Sequence, residues 1–208
     1  MKLYSYVITR DFGFAPNPYF GLCTLATCKP VIRRKCNIGD WVAGFGGSAT
    51  PVHRKLVYLM KVTETLTFNQ YWNAPRFEKK KPCFNKSIKY CYGDNIYHHE
   101  DGQAWRQEFS HHSYEDGVNQ INLERDTQTD RVLISDYFWY FGNRAVLLED
   151  ELSSFIAAGR GHHVFSGEES EFFIEKVTNY LSASYEMGIS GMPFSQKGEF
   201  IQYRGERR

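Results

Sequence analysis

The 208-residue chain carries 25 Lys/Arg against 24 Asp/Glu, a net charge of +1, and 42% of its residues are hydrophobic. That balance supports a real core in a single domain or a domain with an appendage, and it argues against gripping long duplexes through bulk charge. No apolar run is long enough to span a bilayer, so no membrane partner is expected.

The charge is nevertheless uneven. From His53 to Tyr92 there are nine Lys/Arg and two acidic residues, and from Asp94 to Asp130 two Lys/Arg and nine acidic ones. A local basic face is therefore compatible with the neutral total. Aromatic residues reach 16%, which predicts a β-rich core or a groove that stacks planar groups. Five cysteines match no disulfide framework, and Met1-Lys2-Leu3 runs straight into a strand-like segment without a signal peptide. A reduced, cytoplasmic setting is the expectation.

Leu3 to Thr9 predicts the first strand. Asp11 to Pro18 cannot be regular, because Gly13, Pro16 and Pro18 break helix and central strand. Its aromatics (Phe12, Phe14, Tyr19, Phe20) predict a loop pinned against the core or a planar ligand. Gly21 to Cys28 reads as a buried strand or the first turns of a helix. Arg33-Arg34-Lys35, read as strand, suits a solvated edge or a fork for phosphate or a base edge.

Ile38-Gly39-Asp40 makes a turn into a strand from Trp41 to Gly46, whose glycines predict close backbone approach by a neighbour or a ligand. Leu56 to Val62 predicts a strand, and Thr65 to Trp72 a short helix. A basic connection follows to Lys89, and then loops with short strands to Gly117. Arg131 to Phe141 is an aromatic strand interrupted at Ser135-Asp136, and Ala145 to Leu148 another. Ser166-Gly167-Glu168-Glu169 reads as a capping box. The helix it opens has Phe173, Val177, Leu181 and Ser184 on one face, with Phe172 and Tyr180 widening the stripe. From Ser195 the tail is expected to fray.

Six of the seven histidines form adjacent pairs: His98-His99, His111-His112 and His162-His163. Neighbours on a strand face opposite ways, so each pair offers at most one group to a given site. His98 and His111, with Asp94 or Glu108, are the candidates for proton transfer or for holding a metal. No spacing matches a metal-ligand motif, and no metal or cofactor is expected. Cys23 and Cys28 lie in an apolar segment with no identifiable base nearby, so both are read as buried and inert. Asp94-Asn95-Ile96-Tyr97-His98 contains every group needed to read a base edge, although such residues more often serve turns. Loops for triphosphates or dinucleotides and the serine-hydrolase elbow are absent.

Several stretches together carry a resemblance: Tyr4-Ser5-Tyr6-Val7, GFAPNPYFGLCTLATCKPVIRR (13–34), Gly39-Asp40-Trp41, GDNIYHH (93–99), Ser110-His111-His112-Ser113 and LISDYFWYFG (133–142). Over residues 1–145 the chain resembles the type-2 nucleotide modification associated domain family, found mostly in bacteria and phages. That resemblance implies a role beside systems that make or handle modified bases, including phage conflict and defence. The Gly-Asp turn and LVYLMKVTETLTF (56–68) are similar to PUA-like domains of the EVE and ASCH kind, which implies a small β-barrel.

The expected protein is α+β, with a curved, mostly antiparallel sheet, a PUA-like β-barrel if it closes, and a C-terminal helix packed on it. Residues 1–150 are expected to form the domain and 151–208 a helical extension on it. The expected function is recognition of a modified base or nucleotide, free or in nucleic acid. Trp41, Tyr97 or Trp139 would stack it, Asp11, Asn17, Asp94 and Asn95 would read its edge, and Arg33 or Arg34 would hold phosphate. The alternatives are an enzyme using His98, His111 and Asp94, and a subunit that binds a protein partner.

Overall fold

The computed structural model describes residues 1–100, 103–159 and 161–203. Asp101 and Gly102 of the histidine-rich loop, and the last five residues of the tail expected to fray, lie outside the described residues.

In chain order the elements begin β1 (Lys2–Ile8), β2 (Cys23–Leu25), α1 (Pro30–Lys35), β3 (Trp41–Gly46), β4 (Leu56–Lys61), β5 (Glu64–Leu66) and α2 (Phe68–Asn73). They continue α3 (Ile88–Cys91), β6 (Tyr97–His98), β7 (Arg106–Gln107), α4 (Gln120–Asp126), β8 (Val132–Ser135) and β9 (Tyr137–Tyr140). The chain ends with β10 (His162–Ser166), α5 (Glu168–Ser184) and β11 (Gly188–Ile189). Two compact units result, each assembled from segments distant in sequence. The first comprises 1–12, 36–64 and 135–195, the second 13–35, 65–134 and 196–208.

The first unit is a six-stranded sheet of order β10-β1-β3-β4-β9-β11, with an α+β architecture and mostly antiparallel pairing. Register aligns Leu3 with Trp41, Ala43 with Leu59, and Leu59 with Trp139. Side chains alternate along a strand, so this register places those residues together in one core with Phe45 and Phe141. Tyr4, Tyr6, Tyr58 and Tyr140 have the other parity and are also buried. Gly44 is where the sheet needs glycine: a Cβ there would collide with Ile8 and the Tyr58 ring. The close neighbour at Gly44 is thus the side chains of the flanking strands, and at Gly46 it is the Val52 backbone of the following turn.

The barrel suggested by the PUA-like resemblance does not close. β10 and β11 are the two ends of the sheet order. β11 has only two residues, and most of β10 is exposed, which suits an edge rather than a closing seam.

Helix α5 packs on this sheet through Phe173, Ile174, Val177 and Leu181, each contributing about 1.5–3 kcal/mol by burial. Phe172 and Tyr180, expected to widen the stripe, are exposed at 41% and 44%. The expected Ser166 cap also fails to form. Ser166 is paired with Lys2 in the sheet, and the cap residue is Gly167, without a side-chain bond. Three glutamates in the first turn complement the helix dipole.

The second unit holds a three-stranded sheet of order β2-β8-β5, the β6–β7 pair and helices α1 to α4. Arg33-Arg34-Lys35 is the last turn of α1, not a strand. Pro30 has a φ suited to a first helical position, and the basic residues suit a helix end. Thr67 caps α2 in a box with Gln70. The aromatic loop is pinned inward, with Asn17 bridging Thr24 and Phe14 lying 4.6 Å from the His112 ring. The tail is held as far as Tyr203, whose N–H donates to His111 O at 2.6 Å.

Candidate active site

Helix α4 opens on Asn119, whose side chain accepts the Asn122 N–H, and it closes on Asp126. Asp126 is fully buried, and its carboxylate accepts from four donors: Cys28 N–H at 2.9 Å, Arg125 Nε at 3.3 Å, Tyr97 OH at 2.9 Å and His112 Nδ1 at 2.7 Å. Burial would raise its pKa, but His112, Arg125 and Arg33 outweigh that and hold it down to about 2.

The carboxylate on Nδ1 assigns the proton there and turns Nε2 towards the sulfur of Cys28, 3.8 Å away. His112 is 2% exposed, and its carbonyl is held by Gln107 at 3.1 Å and Asn122 at 2.9 Å. Burial pulls its pKa down. The charge of Asp126, the Cys28 sulfur and hydrogen bonds to both reverse that and raise it to about 9.

Cys28 is half-buried and lies on the connection from strand β2 to helix α1. Its φ of 58° is in the left-handed region, followed by Lys29 at 42°. A non-glycine residue there costs about 1–3 kcal/mol, and the surroundings must enforce it. Asp126 holds the Cys28 N–H, and Arg33 Nε donates to the Cys28 carbonyl at 2.9 Å. Lys29 is half-buried, and its desolvation lowers its pKa against the opposing effect of Cys28. The result is a sulfur, an imidazole and a carboxylate in sequence, the arrangement by which a nucleophile is paired with an oriented base.

The sequence candidates divide among several places. Tyr97 and Arg33 belong to this site. Arg33 is fully buried, and besides Cys28 O its guanidinium donates to Thr129 O at 3.1 Å, Arg131 O at 2.7 Å and the Asp126 carbonyl. It therefore ties α4 and the approach to β8 to Cys28. Arg34 is exposed, its carbonyl accepting from Arg131 at 3.2 Å.

Asp94 lies in a separate buried network. It accepts from Thr24 at 2.6 Å and Tyr71 at 2.8 Å, and burial raises its pKa against the influence of Lys80. Lys80, lowered to about 8 by burial, donates to both oxygens of Asn17 and to Leu22 O. Asn95 donates to Tyr71 O at 3.0 Å. His98 bonds Glu108 at 2.8 Å and stacks on Trp72, while the His111 ring nitrogen meets the Ile201 carbonyl. In the first unit Asp11 accepts from Tyr140 at 2.6 Å, and Trp41 and Trp139 lie in the core.

Cys28, His112 and Asp126 were not among the expected site residues. The His111-His112 pair offered one member, and the structure directs His112, not His111, to the carboxylate. Cys28 was expected to be inert because its base is 84 positions away in the chain. A usable signal was present: Cys28 lies two residues before Pro30, where a strand must turn into something else.

Fold and site together define an α+β protein with a buried carboxylate–imidazole pair aimed at a cysteine. The family profile of nucleotide modification associated domain 2 matches residues 1–200, and the chain belongs to that family. The family's name associates it with nucleotide modification. No curated protein and no solved structure matches the chain. Among the described residues no helix is long and apolar enough to cross a membrane.

Proposed function

We propose that this chain recognises a modified base or nucleotide and acts on it through Cys28, with His112 as its proton partner and Asp126 holding His112 in place. The observation that carries this reading is the line from Asp126 Oδ2 to His112 Nδ1 at 2.7 Å and from His112 Nε2 to Cys28 Sγ at 3.8 Å. In the reaction the proton between sulfur and imidazole is already held on Nε2, and the sulfur uses its freed electron pair to bond to an electrophilic carbon of the base or its substituent. The imidazolium then gives that proton to the atom that takes up the displaced electron pair. A pKa of about 9 makes His112 the proton-loaded partner at neutral pH.

The same three side chains come within 4.8 Å of one another, close enough to suggest a metal centre. Two features favour the nucleophile. A carboxylate offers about four lone-pair positions, and four donors already occupy those of Asp126. With Asp126 on Nδ1, only Sγ and Nε2 are left to bind an ion, fewer than the three or four protein ligands of a zinc site. The chemistry is placed on these residues rather than on His98, His111 and Asp94, whose polar atoms are engaged elsewhere.

The test is alkylation by iodoacetamide, mapped by peptide mass, in the wild type and in His112→Ala. Preferential labelling at Cys28 that slows in the variant supports the reading. Equal labelling in both proteins refutes it. Zinc bound stoichiometrically and lost in Cys28→Ser would replace it with the metal.

A further inference from the structure

The second unit carries, apart from this site, a surface on which exposed rings and ammonium groups alternate. The loop from Cys83 to Tyr90 is closed by the Cys83 N–H donating to Tyr90 O at 3.0 Å. Phe84, 42% exposed, and the exposed Lys86 and Lys89 stand on it. Half-buried Tyr90 packs on Phe20 with ring centres 4.7 Å apart. Lys86 Nζ lies 5.0 Å from the Tyr90 ring, and Lys89 Nζ 5.7 Å from both rings. Phe84 in turn meets Phe109, itself 45% exposed, at 4.8 Å and Phe200 at 4.9 Å.

Among the described residues no carboxylate is paired with Lys86 or Lys89; the acidic residues adjoining the patch in sequence are Glu199, beside Phe200, and Glu108, beside Phe109 and bonded to His98. Exposed rings gathered in one place mark a surface that meets something. Rings supply faces on which any base stacks, and unpaired ammonium groups supply countercharge for a phosphate backbone. A duplex hides its base faces and would leave the rings unused. Beneath the surface, buried rings pack it onto the proposed site: Phe200 to Tyr92 at 5.3 Å, Tyr92 to His111 at 5.3 Å, and His111 to His112 at 5.6 Å.

We infer that this surface binds single-stranded nucleic acid, and that the base on which Cys28 acts is presented within a single strand rather than as a free nucleotide. The second half rests on the proposed role of Cys28, and the first half does not.

The experiment is a fluorescence-anisotropy titration of Cys28→Ser protein, which cannot consume the probe, with oligonucleotides of about 12 nucleotides. Single-stranded DNA, single-stranded RNA and duplex DNA are separate arms, and mononucleotides are competitors. Single strands are expected to bind more tightly than duplex and to resist mononucleotide competition, with the DNA and RNA arms showing which polymer is preferred. Lys86→Ala/Lys89→Ala should lower the slope of log affinity against log salt by about 1.4, at about 0.7 per lysine. Phe84→Ser should weaken binding about tenfold with the slope unchanged.

Absence of single-strand binding overturns the inference, as do equal binding of duplex and affinities unchanged in both variants. Self-association with no nucleic-acid binding would also overturn it and assign the surface to a protein. Alkylation of Cys28 reports separately on the chemistry, so failure of one reading is distinguishable from failure of the other.

Discussion

Asp126 accepts the backbone N–H of Cys28 at 2.9 Å with one carboxylate oxygen and His112 Nδ1 at 2.7 Å with the other. A single side chain therefore holds the backbone of Cys28 in its left-handed conformation and orients the His112 ring towards the Cys28 sulfur. The geometry of the pair depends on a third residue that touches no substrate in the proposed mechanism, which makes Asp126 a positioning residue.

Replacement of Asp126 by Ala should accordingly damage stability and reactivity together. It leaves the imidazolium, the Tyr97 hydroxyl and the Cys28 amide without their buried acceptor. The expected loss is about 3–5 kcal/mol, as for breaking a buried ion pair from one side. Urea denaturation measures it. Asp126→Asn keeps an acceptor of the same shape, so it should fold better and still leave Cys28 alkylation slow.

Cysteine reactivity should be ranked by position. Cys23, Cys36 and Cys91 are buried, whereas Cys28 and Cys83 are partly exposed. In the native protein Cys28 should be alkylated first, and His112→Ala should slow it on the order of tenfold while leaving Cys83 unchanged. Time-resolved peptide mapping with Cys83 as the internal standard checks this.

Stability should also depend on pH in a direction that the site dictates. The pKa of His112 is raised from 6.5 to about 9, so its contribution is fully present below about pH 6.5 and is lost as pH rises through about 9. Lys80 has the opposite sign: its pKa is lowered from 10.5 to about 8, so folding becomes more favourable as pH rises between those values, where the folded chain has released the proton that the unfolded chain still holds. The difference in thermal midpoint between wild type and His112→Gln removes the lysine trend. That difference should shrink from pH 6.5 to 9, and a flat difference would refute the charged imidazole.

The two faces of helix α5 provide a test of the fold. Leu181 is fully buried in the core, so Leu181→Ala should cost about 2–5 kcal/mol. Phe172, although aromatic and on the same helix, is 41% exposed, and Phe172→Ala should cost distinctly less. Chemical denaturation of the two variants side by side checks the orientation of the helix.

Local pattern made much of this chain legible. The β-rich apolar run from Leu3, the turn at Gly39-Asp40 and the break at Ser135-Asp136 each appear where expected, because strand propensity and turn chemistry are properties of neighbouring residues. Where tertiary pairing competes with local preference, the reading diverges. Ser166 has the right sequence for a helix cap, yet its pairing with Lys2 keeps it in a strand. Phe172 and Phe173 are chemically identical neighbours, and only the packing against the sheet separates buried from exposed.

The amino-acid sequence by itself determined the α+β class, the position of most strands, the C-terminal helix and, through long specific motifs, the family. Those depend on interactions between residues a few positions apart. The site was decided by tertiary structure alone. Cys28, His112 and Asp126 are separated by 84 and 14 positions, and their meeting requires a left-handed turn before α1, a loop that turns His112 inward, and a helix that ends on Asp126. No spacing rule encodes three such events, because each side chain gains its chemical character only from the other two.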